Sequence, residues 1–197
     1  VSNASSSQPG TLAAMFQDAS SFNQDISSWD VSKNKDFTFM FRGASSFNQD
    51  ISSWDVSSGT DFTGMFQDAE LFNQDISSWD VSESDYFWYM FSGASSFNQD
   101  ISSWDVDIND NLTDMFNDAE LMQLNQKVSD TPSIEYFTPY QFNDRNDLRT
   151  AIAVYGNGTS NGIETYGNIK SWDVSQITDF SDLSFSWVFN QDISNWD

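Results

Sequence analysis

A stretch of eleven residues returns along this chain at a constant interval. FNQDISSWDVS begins at Phe22 and returns with few changes at residues 47, 72 and 97, each time 25 residues further on, and a last copy, FNQDISNWD, occupies residues 189–197. A fixed period of this length is typical of proteins in which a repeat buries its apolar side only when a neighbour stacks on it. The period therefore predicts a stack of repeats instead of a globule with one core.

Each repeat has two apolar patterns. The first is I-x-x-W-x-V, as at residues 26–31, which is the spacing of the strand in leucine-rich repeats (LRR). The second places Phe, Met, Phe and Ala three, four and seven residues apart, as at residues 37–44, and this spacing favours short helices. The sequence thus predicts a repeat solenoid, an LRR-like parallel β-solenoid with short helices on the other face.

The period is interrupted once, and this predicts the domain organisation. Residues 12–130 read as a solenoid of four regular turns plus one worn turn, and residues 1–11 as a linker or insertion. Residues 131–168 form a break, within which 143–155 are predicted to be an amphipathic capping helix with Asn143 or Asp144 as N-cap. The I-x-x-W-x-V pattern returns at residue 169, so residues 169–197 are predicted to begin a second stack.

The motif also resembles a known family. FNQDISSWDVS followed by M-F-x-x-A is similar to the repeats of BspA-like bacterial surface proteins, which also occur in mycoplasma lipoproteins and in surface proteins of marine microbes. The resemblance covers residues 12–121 and 169–197. It implies an LRR-like solenoid, an extracellular or cell-surface location, and a role in adhesion or surface structure, without a known catalytic activity.

Composition narrows the function classes. The formal charge of −23 predicts no binding to nucleic acid, and no apolar run is long enough for membrane insertion. Histidine and cysteine are absent, so the commonest general base and the thiol nucleophile are missing. Carboxylates abound, but they recur equally in every repeat, whereas an active site would occur once. We therefore expect no enzyme and no organic cofactor.

The recurring aspartates suggest one metal site. Hard cations prefer oxygen ligands, so a column of carboxylates could bind Ca²⁺ between repeats. The alternative is that each aspartate accepts a hydrogen bond from a free backbone N–H at a bend. The candidate calcium ligands are Asp30, Asp55, Asp80 and Asp105.

Three further sets of residues are singled out. The tryptophan at one position of every repeat is predicted to form a core ladder, and the asparagine of FNQD to form a buried amide ladder. Aromatic residues that depart from the repeat consensus are predicted to form an inter-subunit or ligand patch. The core ladder is Trp29, Trp54, Trp79 and Trp104, the amide ladder is Asn23, Asn48, Asn73 and Asn98, and the patch residues are Tyr86, Trp88, Tyr89 and Trp187.

These patterns favour a structural function. Joining Asp197 to Val1 would regenerate a complete repeat, so head-to-tail stacking or tandem continuation of solenoid turns would extend the stack. The predicted protein is an extracellular fibre or surface-appendage subunit whose partner is itself, with Val1 and Asp197 at the interface. The alternative is a monomeric adhesion or ligand-binding module, for which glycans are possible partners.

Overall fold

The computed structural model describes residues 11–107, 109–126, 128–138, 140–142, 144–156 and 172–181, together with residues 166, 169, 183, 193 and 196. The chain divides into two compact units, Val1–Pro132 and Ser133–Asp197. In the first unit we distinguish repeat 1 (11–35), repeat 2 (36–60), repeat 3 (61–85), repeat 4 (86–110) and a terminal segment (111–132).

The repeats of the first unit stack through backbone hydrogen bonds at alternate residues. The N–H groups of Phe37, Phe39 and Phe41 in repeat 2 each donate to a carbonyl 24 residues further on in repeat 3, at 2.9 Å. In repeats 3 and 4 the three equivalent N–H groups make the same bonds to the segment that follows. In repeat 1 the N–H groups of Ala14 and Phe16 do so, while the N–H of Leu12 donates to the side chain of Asn34. Each repeat is therefore one turn of a stack, held in register by main-chain contacts that do not depend on side-chain identity.

The predicted parallel β-solenoid is wrong. Within the described residues there is no β-strand and no sheet, and the first unit contains only isolated parallel bridges that link Asp36, Asp61, Tyr86 and Asn111 in succession. The predicted strand is instead a turn, because the N–H of Trp54 donates to the carbonyl of Ile51 at 3.1 Å and the other repeats do the same. I-x-x-W spacing suits such a three-residue turn as well as it suits a strand entered from a bend.

The short helices predicted in the second half of each repeat are also absent from the described part of repeats 1 to 4. Bonds such as that from the N–H of Met40 to the carbonyl of Phe37, at 3.1 Å, close separate turns instead of a helical ladder. Each repeat also places two residues in the left-handed region, which neither a helix nor a strand allows. Those residues are Ala14, Phe39, Gly64, Tyr89 and Asp114 in one column and Asp18, Gly43, Asp68, Gly93 and Asp118 in the other.

Stacked aromatic side chains fill the interior of the first unit. Phe41, Phe66 and Phe91 lie in line at 5.6 and 5.7 Å between ring centroids. A second phenylalanine in the same repeat stacks beside each of them, as Phe47 does beside Phe41 at 4.0 Å. All these rings are fully buried, as are the methionine and alanine of each M-F-x-x-A segment in repeats 2 to 4. Burial of phenylalanine therefore supplies most of the apolar contact, despite the polar average composition.

The terminal segment ends this stack with irregular structure. A π-helical turn spans Met122–Gln126, where the sequence keeps a remnant of the repeat, and Val128 is buried after it. The side-chain amide of Gln126 contacts the Asn98 side chain at 3.4 Å, which continues the contacts of the FNQD segments.

The second unit contains the predicted helix. A 3₁₀ turn spans Ile134–Tyr136, and helix α1 spans Arg145–Gly156. Asp144 caps α1, since its side chain accepts hydrogen bonds from the N–H groups of Asn146 and Asp147. Of the predicted apolar face, Leu148, Ala151 and Ile152 are buried, and the side chain of Tyr155 lies outside the described residues.

The repeat pattern then returns around Trp172, whose ring stacks on Trp196 at 5.8 Å. Gln141 and Asp173 form an isolated parallel bridge. Across the described residues of both units, no helix has the length and apolar character that a membrane span requires.

Candidate functional site

The tryptophan column links each repeat to the one before it. The indole Nε1–H of Trp54 donates to the carbonyl of Ile26 at 3.2 Å, and Trp79 and Trp104 make the same bond to Ile51 and Ile76. These three side chains are 2–4% exposed. Trp29 in repeat 1 is 37% exposed, and no described residue accepts a hydrogen bond from its indole N–H.

Repeat 1 consequently presents a partly exposed surface that no described repeat covers. We call this the open face: the backbone carbonyls of Ala13, Met15 and Gln17 with the side chains of Met15 and Trp29. In the following repeats the equivalent carbonyls accept N–H groups from the preceding repeat, but no donor to these three lies within the described residues. Met15 is exposed, whereas the equivalent methionines of repeats 2 to 4 are fully buried. The open face therefore carries the groups of an inter-repeat junction, and no repeat among the described residues lies against them.

The other end of the stack is closed by the chain itself. In the terminal segment, the N–H of Phe116 donates to the carbonyl of Asp130 at 2.8 Å, and the N–H of Asp114 donates to the hydroxyl of Thr131 at 2.8 Å. In repeats 2 to 4, the equivalent N–H groups donate to the next repeat. Residues 130 and 131 thus replace a following repeat, and the two ends of the stack differ chemically.

A cluster of aromatic side chains lies on the side of repeat 4. The aromatic patch consists of Tyr86, Trp88 and Tyr89. Tyr86 is 48% exposed and Trp88 is 43% exposed, while Tyr89 is half-buried and meets Trp88 edge-to-face at 6.5 Å between ring centroids. Exposed rings of this size are unusual in so polar a surface, so the patch is a candidate contact surface.

Three of the four aspartates proposed for calcium accept hydrogen bonds within their own repeats. The side chain of Asp55 accepts hydrogen bonds from the N–H and the hydroxyl of Ser57 at 3.2 and 2.6 Å. The hydroxyl and the N–H of Ser32 hold the pKa of Asp30 below its usual value, and those of Ser82 do the same to the pKa of Asp80. These contacts match the alternative to calcium binding, in which an aspartate accepts a hydrogen bond from a backbone N–H at a bend.

The described residues contain no group of three or more acidic side chains arranged to hold a metal ion. Asp30, Asp55 and Asp80 are exposed and each accepts hydrogen bonds from the serine two residues further on, while Asp105 is exposed. Calcium binding by Asp30, Asp55, Asp80 and Asp105 remains a prediction from sequence alone.

Carboxylates also crowd one another beside the aromatic patch. Burial raises the pKa of Asp110, a hydrogen bond from the N–H of Asp107 opposes the rise, and the negative charges of Asp107, Asp85 and Asp105 add to it. The surface around repeat 4 therefore has a strongly negative potential.

The asparagine ladder exists, but its predicted burial is wrong. The side-chain oxygen of Asn23 accepts the N–H of Asn48 at 2.9 Å, and Asn48 and Asn73 continue the series. Asn23 and Asn48 are exposed, and Asn73 and Asn98 are only partly covered. The ladder therefore runs along the surface, because the neighbouring phenylalanines already fill the interior.

Some of the predicted interface residues cannot be placed, and one surface was missed. Val1, Trp187 and Asp197 lie outside the described residues. The open face was not anticipated, because Trp29 has the same sequence context as the buried tryptophans and differs only in having no described repeat before it.

Comparison with known proteins places the chain in a family. No curated protein and no solved structure gives a significant match. The family described as "Mycoplasma protein of unknown function, DUF285" matches residues 10–131, 60–152 and 158–197, and the overlap of the first two ranges reflects the tandem repeats. A specific relationship to BspA-like repeats is not established by this match. Since the matched ranges cover most of the sequence, the chain belongs to the DUF285 family.

Proposed function

We propose that this chain is a structural repeat protein that assembles head to tail into an extracellular fibre or surface appendage. One observation carries the proposal: the open face presents the same carbonyls, methionine and tryptophan that are covered at every inner junction of the stack. A further turn of the same kind would cover Trp29 and accept its indole N–H. Heterologous faces of this kind extend into open assemblies unless they are closed.

The complementary surface would come from the C-terminal unit of a second copy. The far end of the first stack is less suitable, since Asp130 and Thr131 already accept two of its N–H donors, those of Phe116 and Asp114. The C-terminal unit rebuilds the repeat contact, because Trp196 Nε1–H donates to the carbonyl of Ile169 at 3.0 Å. Phe180, which corresponds to the buried Phe37 of repeat 2, is exposed there. The fibre would grow by stacking turns and not by continuing a sheet.

The charge and the repeat motif support an extracellular setting for such an assembly. A formal charge of −23 per copy makes copies repel one another, and physiological salt screens exposed charges beyond about 8 Å. Joining copies would therefore be favoured in saline medium, while the same charge keeps separate fibres dispersed. The resemblance of FNQDISSWDVS to BspA-like surface repeats supports a location outside the cell.

The proposal is tested by substituting the open face. We expect Trp29→Lys to abolish filaments of the full chain, because it puts a charge where an apolar junction should form. Electron microscopy and sedimentation velocity at physiological salt would measure the loss. Leu71→Lys is the matched control, since Leu71 is an exposed apolar residue of repeat 3 away from both ends. Equal assembly of the two variants, or no assembly of the unaltered chain, would overturn the proposal.

A monomeric cell-surface adhesion module is the second candidate. The exposed side chains of Tyr86 and Trp88 favour it, because rings exposed on the side of a stack are free to contact a partner whether or not the ends join. Isolated particles of the unaltered chain in the same micrographs would support this alternative.

A further inference from the structure

The aromatic patch replaces residues that other repeats use to satisfy the backbone. The positions of Tyr86 and Trp88 are occupied by Asp and Thr in repeats 2 and 3, and by Asn and Thr in the terminal segment. In each of those cases the acid or amide side chain accepts the N–H of the threonine, as Asp61 does from Thr63 at 2.9 Å. Tyrosine cannot make this bond in the same way.

Repeat 4 therefore has a backbone donor beside exposed rings. No described residue accepts a hydrogen bond from the N–H of Trp88. The patch thus combines two exposed aromatic side chains with one main-chain donor that has no acceptor among the described residues. That combination suits a ligand that has both a group able to stack on a ring and a carbonyl oxygen.

In repeat 2, a cation stacks on the ring at the position equivalent to Tyr89. In repeat 2 the guanidinium of Arg42 lies over the ring of Phe39, 5.3 Å from its centroid. Two repeats later, the position of Arg42 is occupied by Ser92, which is buried, and the position of Phe39 is occupied by Tyr89. Repeat 4 keeps the ring but lacks the arginine, so the equivalent cation would have to come from another molecule.

The electrostatic surroundings favour a cation as well. No lysine or arginine occurs between Arg42 and Lys127, whereas Glu83 and Asp85 are exposed directly before the patch in sequence. An anionic or phosphate-bearing ligand would be repelled. A second copy is also a poor occupant, because it carries the same charge of −23 with only seven lysines and arginines.

From these observations we propose that Tyr86, Trp88 and Tyr89 form a binding site for an arginine-bearing segment of a basic partner protein. The guanidinium stacks on the exposed rings, the carboxylates of Glu83 and Asp85 attract it, and the N–H of Trp88 donates to a carbonyl of the bound segment. The site is independent of the assembly proposed above, since it lies on the side of the stack and not at the open face.

The test uses the full chain and three short peptides with six arginines, six lysines or six glutamines, titrated by calorimetry. The double variant Tyr86→Asp and Trp88→Thr restores the residues of repeat 3 and supplies the missing acceptor, so we expect it to fold. It also adds a negative charge, which by itself would strengthen binding of cations. We expect the arginine peptide to bind the double variant about tenfold more weakly than the unaltered chain, because cation–π contacts are lost. Leu71→Thr, which removes an exposed apolar side chain outside both proposed surfaces, should leave binding unchanged.

The type of peptide and the salt concentration distinguish the proposed arginine site from attraction to diffuse charge and from a glycan site. The proposal expects arginine to bind more tightly than lysine, glutamine not to bind, and affinity to fall with rising salt. Equal affinity of the arginine peptide for the double variant and the unaltered chain would mean attraction to diffuse charge, and would overturn the proposal. Salt-independent binding of a neutral oligosaccharide such as cellohexaose at the same residues, with no binding of the arginine peptide, would assign the patch to glycans instead.

Discussion

At the scale of single residues, the indole N–H of tryptophan joins one repeat to the next. Trp79 is buried by apolar neighbours and donates to the carbonyl of Ile51 at 3.2 Å. A buried donor without a partner would be costly, so the bond favours one register of stacking over others. Trp29 in repeat 1 is 37% exposed and has no acceptor among the described residues, and this makes a matched comparison possible.

We expect Trp79→Phe to lower the free energy of unfolding by about 2 kcal/mol, because it removes the hydrogen bond and leaves space in the interior. Trp29→Phe should change the same free energy by less than about 0.5 kcal/mol, since Trp29 is partly exposed and has no described acceptor. Urea unfolding followed by circular dichroism would measure both. Similar losses for the two variants would contradict the role given to the bond.

At the scale of the repeat, the chain is a series of turns that depends on left-handed residues. In one column, Gly43 and Gly93 alternate with aspartates at Asp18, Asp68 and Asp118. A Cβ at Gly93 would collide with the side chain of Asp68 in the preceding repeat. Each of these glycines therefore provides both a positive φ and room for the aspartate before it.

We expect Gly93→Ala to destabilise the first unit by about 1–2 kcal/mol, from the strained backbone and from the contact with Asp68. Adding Asp68→Gly should restore part of the loss, because it removes the colliding side chain but leaves φ at +71° at position 93. Thermal unfolding of the two single variants and the double variant would measure the coupling. Strictly additive effects would mean that the collision is relieved in some other way.

The sequence predicted which residues of each repeat are buried better than it predicted the backbone conformation of the repeat. The spacing of Ile51, Trp54 and Val56 was enough to identify residues that are buried, because burial depends on the period of the pattern. It could not separate a strand from a turn, since both bring Ile and Trp to the same interior. The left-handed conformation of Phe39 and Tyr89 had no signal at all, because bulky residues rarely adopt it. Stacking along the whole column imposes it.

The candidate sites were predictable only where the sequence departs from the period. Tyr86 and Trp88 stand out because neighbouring repeats have Asp and Thr at those positions. The open face did not stand out, since its chemistry depends on the place of repeat 1 in the stack. Closure of the stack by Asp130 and Thr131 could not be predicted for a similar reason, because a sequence does not show where a backbone N–H finds its acceptor.

At the scale of the whole molecule, carboxylates act in two opposed ways. Their mutual repulsion disfavours the compact state, and the charges of Asp107, Asp85 and Asp105 add to the rise that burial produces in the pKa of the partly buried Asp110. Other carboxylates are more acidic than usual, because serine N–H and hydroxyl groups bind their ionised form. These are Asp25, Asp30, Asp50, Asp75 and Asp80 in the first unit, and Asp173 and Asp179 in the second.

Some carboxyl groups have a lower pKa in the folded state than in the unfolded chain. Such a group stabilises the fold at pH values above its unfolded-state pKa. That contribution is lost as the pH falls through its folded-state pKa. We therefore expect the free energy of unfolding to fall as pH is lowered below about 3.8, the ordinary value for these groups. Chemical unfolding at a series of acidic pH values would measure it. Asp75→Asn keeps an acceptor for Ser77 but cannot be protonated there, so its acid dependence should be weaker. A steeper dependence in the variant would contradict this account.

The junctions between successive repeats are alike, and this affects how the number of repeats encoded by such a gene can change. Each repeat meets its neighbours through main-chain bonds 24 residues apart and through one indole bond that spans 28 residues. Removal or duplication of a 25-residue unit by recombination would bring together surfaces that already match. The number of repeats can therefore change without a new interface having to arise, while the residues that close the stack after repeat 4 stay in place.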